Sequence, residues 1–260
     1  MDGRTDGGDG RHAAEGPEAG PVGARDAGSG SGQDAGRRED EALLARTRAV
    51  PVLAGPLPHL DPERVPDAPG PLFAEWLAAA IDAGVPEPQV MTLSTAAPDG
   101  TPSARVLILR GIDSAGCAYD FASDSRTRKG RDLAANPRAA LTWYWPALGR
   151  QIRMAGPVVV LGPDATARDF LGRGEHARAA AFAGPPSAPL DSAARYVEAL
   201  RVARDLVAAE PDRVPATHTL YRLRADEAEF WQADPARFHV RVRYGRQPGG
   251  RGWSRTLLWP

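Results

Sequence analysis

Residues 123–130 read Ser-Asp-Ser-Arg-Thr-Arg-Lys-Gly, with hydroxyls and cations crowded just ahead of a short helical pattern that runs to Asn136-Pro137. A helix start presents unpaired N–H groups and a positive dipole end, so adding Arg and Lys there is awkward unless an anion binds. Solvated helix start and phosphate site are both open on this segment alone. Of 32 basic side chains only Lys129 is lysine, and at a phosphate a compact ammonium has a distinct use.

Two further groups could do chemistry. The strand Arg105-Val106-Leu107-Ile108-Leu109-Arg110 carries fixed charges at its ends, and five residues apart on a strand these point to opposite faces. Arg237, His239 and Arg241 alternate along Arg-Phe-His-Val-Arg, so an extended segment would put all three on one face, where they call for an anion or carboxylates. Gln151, after Trp143-Tyr144-Trp145, reads by itself as a polar residue opening a strand.

The elements that must position these groups follow from periodicity. Phe73, Trp76, Leu77, Ala80 and Ile81 mark one face of a helix that opens after Pro71 and ends at Gly84-Val85-Pro86. Strands are expected at Val90–Thr95 and Ser103–Arg110, joined through the turn Ala97-Pro98-Asp99-Gly100. Further strands fall near Ala118–Ala122, Ala139–Trp145 and Gln151–Leu161. A helix is expected at Thr127–Ala135. After Pro163 the pattern is helical, with a Gly/Pro-interrupted stretch at Gly172–Pro189 and a longer helix at Ser192–Ala209, and strands return over Thr219–Trp259. Short strands with tight turns predict an antiparallel barrel, mainly β with flanking helices.

Composition bounds the rest. Residues 1–40 are low-complexity and without aromatic residues, which predicts a disordered tail; 41–70 form a Pro-rich arm; 71–260 form the folded domain. A net charge of −1 gives no field for nucleic acid or membrane. The one cysteine, Cys117, allows no intrachain disulfide, and the absence of an apolar leader or span points to a cytoplasmic protein. The five histidines have no zinc spacing, and Gly-x-Ser-x-Gly, P-loop and Gly-x-Gly-x-x-Gly motifs are absent.

Taken in order, Arg105, the Ser123–Gly130 turn, Gln151, Glu229-Phe230-Trp231 and Arg237-Phe238-His239-Val240-Arg241 make residues 71–260 resemble the pyridoxamine 5'-phosphate oxidase family. Within it the chain looks closer to the phenazine-biosynthesis flavin oxidases than to the housekeeping enzyme. The resemblance implies an FMN-binding split β-barrel and a homodimer with a C-terminal dimerisation region at about 215–260. Arg105, Ala122, Ser123, Arg128 and Lys129 would hold the FMN phosphate and ribityl chain, with Val106, Leu107, Ile108, Leu109 and Arg110 beside the ring. Gln151 would bond the ring, and Ser187, Trp231 and Arg241 would come from the other subunit. Arg237 and His239 would be catalytic, positioning and polarising a small-molecule substrate whose hydride passes to flavin and then to molecular oxygen.

Departures from the family bear on the substrate. The four positions that hold the substrate phosphate, Lys, Tyr, Arg and Ser in the family, read Arg110, Asp169, Arg173 and Ala177 here, and a carboxylate beside a dianionic phosphate is repulsive. Pro186 and Phe182 replace a Gln and a Trp. These changes favour a small cyclic or amine substrate of natural-product, phenazine-like biosynthesis. Pyridoxamine or pyridoxine 5'-phosphate oxidation is the alternative, and a non-catalytic flavin or pyridoxal phosphate binder a second one.

Overall fold

A computed structural model describes residues 29–250 and 252–260. Contacts divide the chain into two units, at Val52/Leu53. In the first, helix α1 spans Ser29–Arg48, and its described side chains from Gln33 onward are exposed. Within it Arg37 pairs with Asp34 and Glu41 one turn away on either side, and the run Arg37–Arg48 is rich in helix formers. Residues 1–28 of the expected tail lie outside the described residues.

The second unit, Leu53–Pro260, starts with the Pro-rich arm, whose Leu60 and Val65 are buried in the core. Helix α2 (Pro69–Asp82) follows, its Pro at the first turn where no amide hydrogen is needed. Its buried stripe is Leu72, Phe73, Trp76, Leu77 and Ala80. Ile81, expected on that stripe, is 59% exposed; at 100° per residue it has rotated about 80° past Phe73.

Strands β1 (Val90–Ala96), β2 (Pro102–Ile108), β3 (Gly111–Asp113) and β4 (Ala118–Asp124) precede helix α3 (Arg128–Ala135). Then come β5 (Arg138–Trp145), β6 (Arg150–Val160), α4 (Pro163–Leu171), α5 (Glu175–Ala180) and α6 (Ala193–Ala209). Strands β7 (His218–Arg224), β8 (Glu227–Gln232), β9 (Val240–Arg246) and β10 (Trp253–Leu258) complete the chain. The short β3 and α5 are absent from the sequence expectation. Strand β2 ends two residues earlier than expected, because Arg110 N–H leaves β1 and donates to Asp120 O on β4.

All pairings are antiparallel. The main order is β10-β9-β8-β6-β5-β1-β2, and β7 links β6 to β4, which also pairs with β3. The 11-residue β6 is shared: Arg150–Ala155 face β8, and Val158–Val160 face β7. The change of partner falls beside Gly156, where an added Cβ would overlap the Arg224 carbonyl oxygen, so only glycine lets the strands cross so closely.

One face of the main sheet is core. Leu93, Leu141, Met154, Ala228 and Tyr244 stand opposite one another across β1, β5, β6, β8 and β9. Helix α2 covers this face, with Phe73 edge-on to Tyr119 and to Trp143, each at 4.8 Å, and Trp76 edge-on to Phe230 at 5.2 Å. One residue along, the register reverses the chemistry: Thr92, Thr142, Arg153, Glu229 and Arg243 form a polar row on the other face.

Candidate functional site

Arg105 lies on the core face of β2, opposite Leu93. It donates to Leu93 O at 3.2 Å, Thr95 Oγ1 at 2.9 Å and Ser103 Oγ at 2.6 Å. Thr95 in turn donates to the buried Asp132 of α3 at 2.7 Å, so strand and helix together fix the guanidinium. Burial lowers the Arg105 pKa and nearby Arg128 acts the same way, against Asp132. Lys129 is lowered by burial first and then by Arg105, with Asp124 opposing. Among the described residues neither Arg128 nor Lys129 makes a hydrogen bond or ion pair.

The turn before α3 is built to hold these cations in place. Thr127 caps the helix, its Oγ1 accepting from Gly130 N–H at 3.3 Å, and Ser123 Oγ lies 3.2 Å from that hydroxyl. A Cβ on Gly130 would overlap the Ser125 carbonyl oxygen. Asp124 accepts from Arg126 Nη2 and Thr217 Oγ1, both at 2.7 Å. Burial would raise its carboxyl, but these hydrogen bonds take it down to about 2.

A second group gathers on the polar face. Tyr144, Gln151, Trp231 and Arg241 are successive register partners across β5, β6, β8 and β9. Arg241 is fixed by the buried Glu229, at 3.0 Å to Nε and 2.9 Å to Nη2, and by Trp259 O at 2.8 Å; Arg153 also reaches Glu229, at 3.2 Å. Gln151 and Arg105 thus lie on opposite faces of the sheet. On β2, Val106 and Ile108 are exposed and alternate with the partly buried Leu107.

The shared strand face expected for Arg237, His239 and Arg241 is not there. Strand β9 begins only at Val240, since Asp234 turns the chain: its Oδ1 accepts from Ala236 N–H, and its carbonyl accepts from Arg237 N–H. Arg237 sits at φ +70° with an exposed side chain. His239 folds back on Trp231 at 5.0 Å, and its Nδ1 accepts from Asp234 N–H at 3.0 Å. The neutral ring therefore carries its proton on Nε2.

The third group is centred on Asp169, near the end of α4. Oδ1 accepts from Arg110 Nε at 2.6 Å, while Oδ2 accepts from Arg173 Nη2 at 3.0 Å and pairs with His218 Nε2 at 2.9 Å. Burial would raise this carboxyl, but the hydrogen bonds from His218 and Arg110 and the charge of Arg173 hold it well below the usual carboxylate range. Arg110, expected beside a flavin ring, is thus committed to Asp169.

A cavity of about 240 Å³ adjoins this cluster, with Arg173, Ala177 and His218 on one side and Ser123, Asp124 and Thr127 on the other. It joins the start of α3 to the Asp169 cluster. Ala122 pairs with Leu220 on β4 and β7 beneath it, and Ser187 lies at φ +66° in the loop between α5 and α6. His218, Thr95 and Asp132 escape sequence reasoning, because none has a local partner or spacing that marks it. Among the described residues no group of three His, Cys, Asp or Glu could hold a metal ion, and no helix is long and apolar enough to cross a membrane.

Comparison with known proteins places this geometry. Residues 77–232 match the family described as Pyridoxamine 5'-phosphate oxidase, and 218–260 match the Pyridoxine 5'-phosphate oxidase C-terminal dimerisation region. The pyridoxine/pyridoxamine 5'-phosphate oxidase of Gluconobacter oxydans is 37% identical over 189 residues, 73% of this chain and 92% of the relative. That of Salinibacter ruber is 40% identical over 207 residues, 78% and 94%. PhzG from Burkholderia lata, solved with tetrahydrophenazine-1-carboxylic acid, superposes with a TM-score of 0.71 at 34% identity, covering 79% of this chain and 100% of that one. A pyridoxamine 5'-phosphate oxidase-related, FMN binding protein of Nostoc punctiforme shares the fold at 21% identity and a TM-score of 0.60, over 77% and 98% of the two chains.

Proposed function

The chain belongs to the pyridoxamine 5'-phosphate oxidase family and is an FMN-dependent oxidoreductase on an antiparallel split barrel, and from that premise we propose that it oxidises a small cyclic substrate of the reduced-phenazine kind, with oxygen as final acceptor. The observation that carries this reading is the unequal state of the two cation groups. Among the described residues Arg128 and Lys129 make no side-chain hydrogen bond or ion pair, whereas Arg110 and Arg173 already share Asp169.

The residues present fit FMN. A partly buried, partnerless ammonium, two guanidinium groups and the N-terminus of α3 form a donor set for a phosphate monoester. Arg105, Ser123, Arg128 and Lys129 would hold that phosphate, with Val106 to Leu109 alongside. When bound, FMN supplies the hydride acceptor.

The chain's own residues bind, orient and place charge. Arg241, immobilised by Glu229, brings a fixed positive charge, Trp231 an aromatic wall and Gln151 an amide. These three share one row on the face opposite Arg105, so we assign Gln151 with Trp231 and Arg241 to the flavin of the partner copy, with Ser187. The dimerisation region at 218–260 supports a homodimer. His239, with its proton on Nε2, would donate a hydrogen bond to the substrate and polarise it, and Arg237 would meet its charged edge.

The likeness to PhzG, whose structure holds tetrahydrophenazine-1-carboxylic acid, supports a reduced tricyclic carboxylate. The 40% identity to the Salinibacter ruber enzyme favours a second reading, oxidation of pyridoxine or pyridoxamine 5'-phosphate. Anaerobic mixing of the FMN-loaded protein with dihydrophenazine-1-carboxylate and, separately, with pyridoxamine 5'-phosphate decides between them. The first reading expects bleaching of the flavin band by the phenazine and peroxide on admitting air. Bleaching by the phosphate alone would install the second, and bleaching by neither would leave a flavin binder without turnover.

A further inference from the structure

We propose, resting on the flavin-oxidase reading of this site, that Asp169 is a specificity-determining residue: its carboxylate occupies the donors of Arg110, Arg173 and His218 that a phosphate monoester would need, so that the adjoining cavity takes a ring carrying at most one negative charge.

The charge count comes first. A phosphate monoester carries about −1.5 to −2 at neutral pH. The cluster offers two guanidinium groups and spends one charge on Asp169, which leaves about one positive charge for a ligand. The opposite wall adds no cation to the balance, because Asp124 there is matched by Arg126. A dianion placed in the cavity would meet two carboxylates, with about one positive charge left over to balance it.

Asp169 cannot step aside cheaply. Its side chain is 6% exposed and that of His218 is 4% exposed, and its three donors come from separate places: just beyond β2, just beyond α4 and the start of β7. Freeing the donors would strand a buried carboxylate, which costs several kcal/mol.

What remains suits a flat, weakly charged body. Arg173 lines the cavity and, among the described residues, gives Asp169 a hydrogen bond from Nη2 alone, so the guanidinium keeps further N–H groups for a single carboxylate. Ala177, Ala180, Ala181, Gly184 and Pro186 supply small apolar walls and no side-chain donor.

The test compares ligands that differ only in the phosphate. Equilibrium dialysis of the full-length, FMN-loaded protein against pyridoxal 5'-phosphate and against pyridoxal should give dissociation constants within about threefold of each other. Asp169→Asn, which removes the charge and keeps the shape, should tighten pyridoxal 5'-phosphate about tenfold while moving pyridoxal less than about threefold. A pocket that had merely loosened would weaken both ligands together and leave their ratio alone. A native preference for the phosphate of about tenfold or more overturns the proposal, as does a folded Asp169→Asn protein whose ratio stays put. If the variant does not fold, the native ratio decides by itself. A protein that takes up no FMN fails both this inference and the flavin-oxidase reading; one that takes FMN and favours the phosphate fails this inference alone.

Discussion

At the start of α3, Arg105, Arg128 and Lys129 converge with no carboxylate among their direct partners, and at the end of α4, Arg110 and Arg173 converge on one. Arg105, Lys129 and Arg173 are partly buried, and residues of the α3 turn and of the Asp169 cluster line one cavity. The first is held by hydroxyls, a carbonyl and a helix cap, which position charge without cancelling it. The second is closed by Asp169, whose carboxylate cancels one of the two charges and also pairs with His218. The same residue type is an open anion site in one place and a structural ion cluster in the other, and what decides is whether the sequence supplies its own anion.

The contrast should break most visibly at Asp169. Asp169→Ala leaves Arg110, Arg173 and His218 without their shared acceptor, and breaking a buried pair costs about 3–5 kcal/mol. For a unit of this size that is a fall in melting temperature of roughly 6–20 °C, read by calorimetry on the FMN-free protein. FMN affinity of the folded fraction should change little. Lys129→Met is the mirror experiment. It removes no side-chain hydrogen bond or ion pair among the described residues, so the FMN-free melting temperature should hold, whereas losing the proposed charge-assisted hydrogen bond to FMN, worth about 1.5–3 kcal/mol, should weaken FMN about ten- to hundredfold in a fluorescence titration. If both variants lose stability and neither loses FMN, the two groups are alike after all.

The smallest expected effect is in acid. The Asp124 carboxyl sits at about 2 in the folded protein against 3.8 unfolded, so the stability it contributes is present above pH 3.8 and is lost as pH falls through about 2. Asp124→Asn should lower stability modestly across the neutral range and flatten the acid limb of the unfolding curve between pH 4 and 2, so that the two proteins converge below about pH 2. An unchanged limb would detach the turn before α3 from the acid stability of the fold.

Local signals made much of this legible. The turn at Ala97–Gly100, the run Ser123–Gly130 and the strands at Val90–Thr95 and Ala139–Trp145 are patterns within a few residues, and each stands within a residue or two of where local signals put it. In the Asp169 cluster, only the family resemblance brings Arg110, Asp169 and Arg173 to one pocket; no local pattern shows it, since the contacts to Arg110 and His218 span 59 and 49 positions, and nothing local to His218 marks it as a partner. Alternation also misled at Arg237 and His239. Period two predicts a shared face only if the segment is extended, and Asp234 with its side-chain turn overrides that pattern. In the same way Gln151 reads as an edge polar residue until the register sets it between Tyr144 and Trp231.

Strand β6 has one more consequence, for how the molecule comes apart. Because the same eleven residues hydrogen-bond to β5, β8 and β7, neither sheet can release its edge without the other losing a strand. Amide protection at Gln151 and at Leu223 should then report one opening free energy, so the polar row and the cavity wall melt as a single cooperative unit in hydrogen exchange. With the hinge of that unit at a glycine that tolerates no side chain, the barrel has no partly open resting form in which one half of the site survives alone.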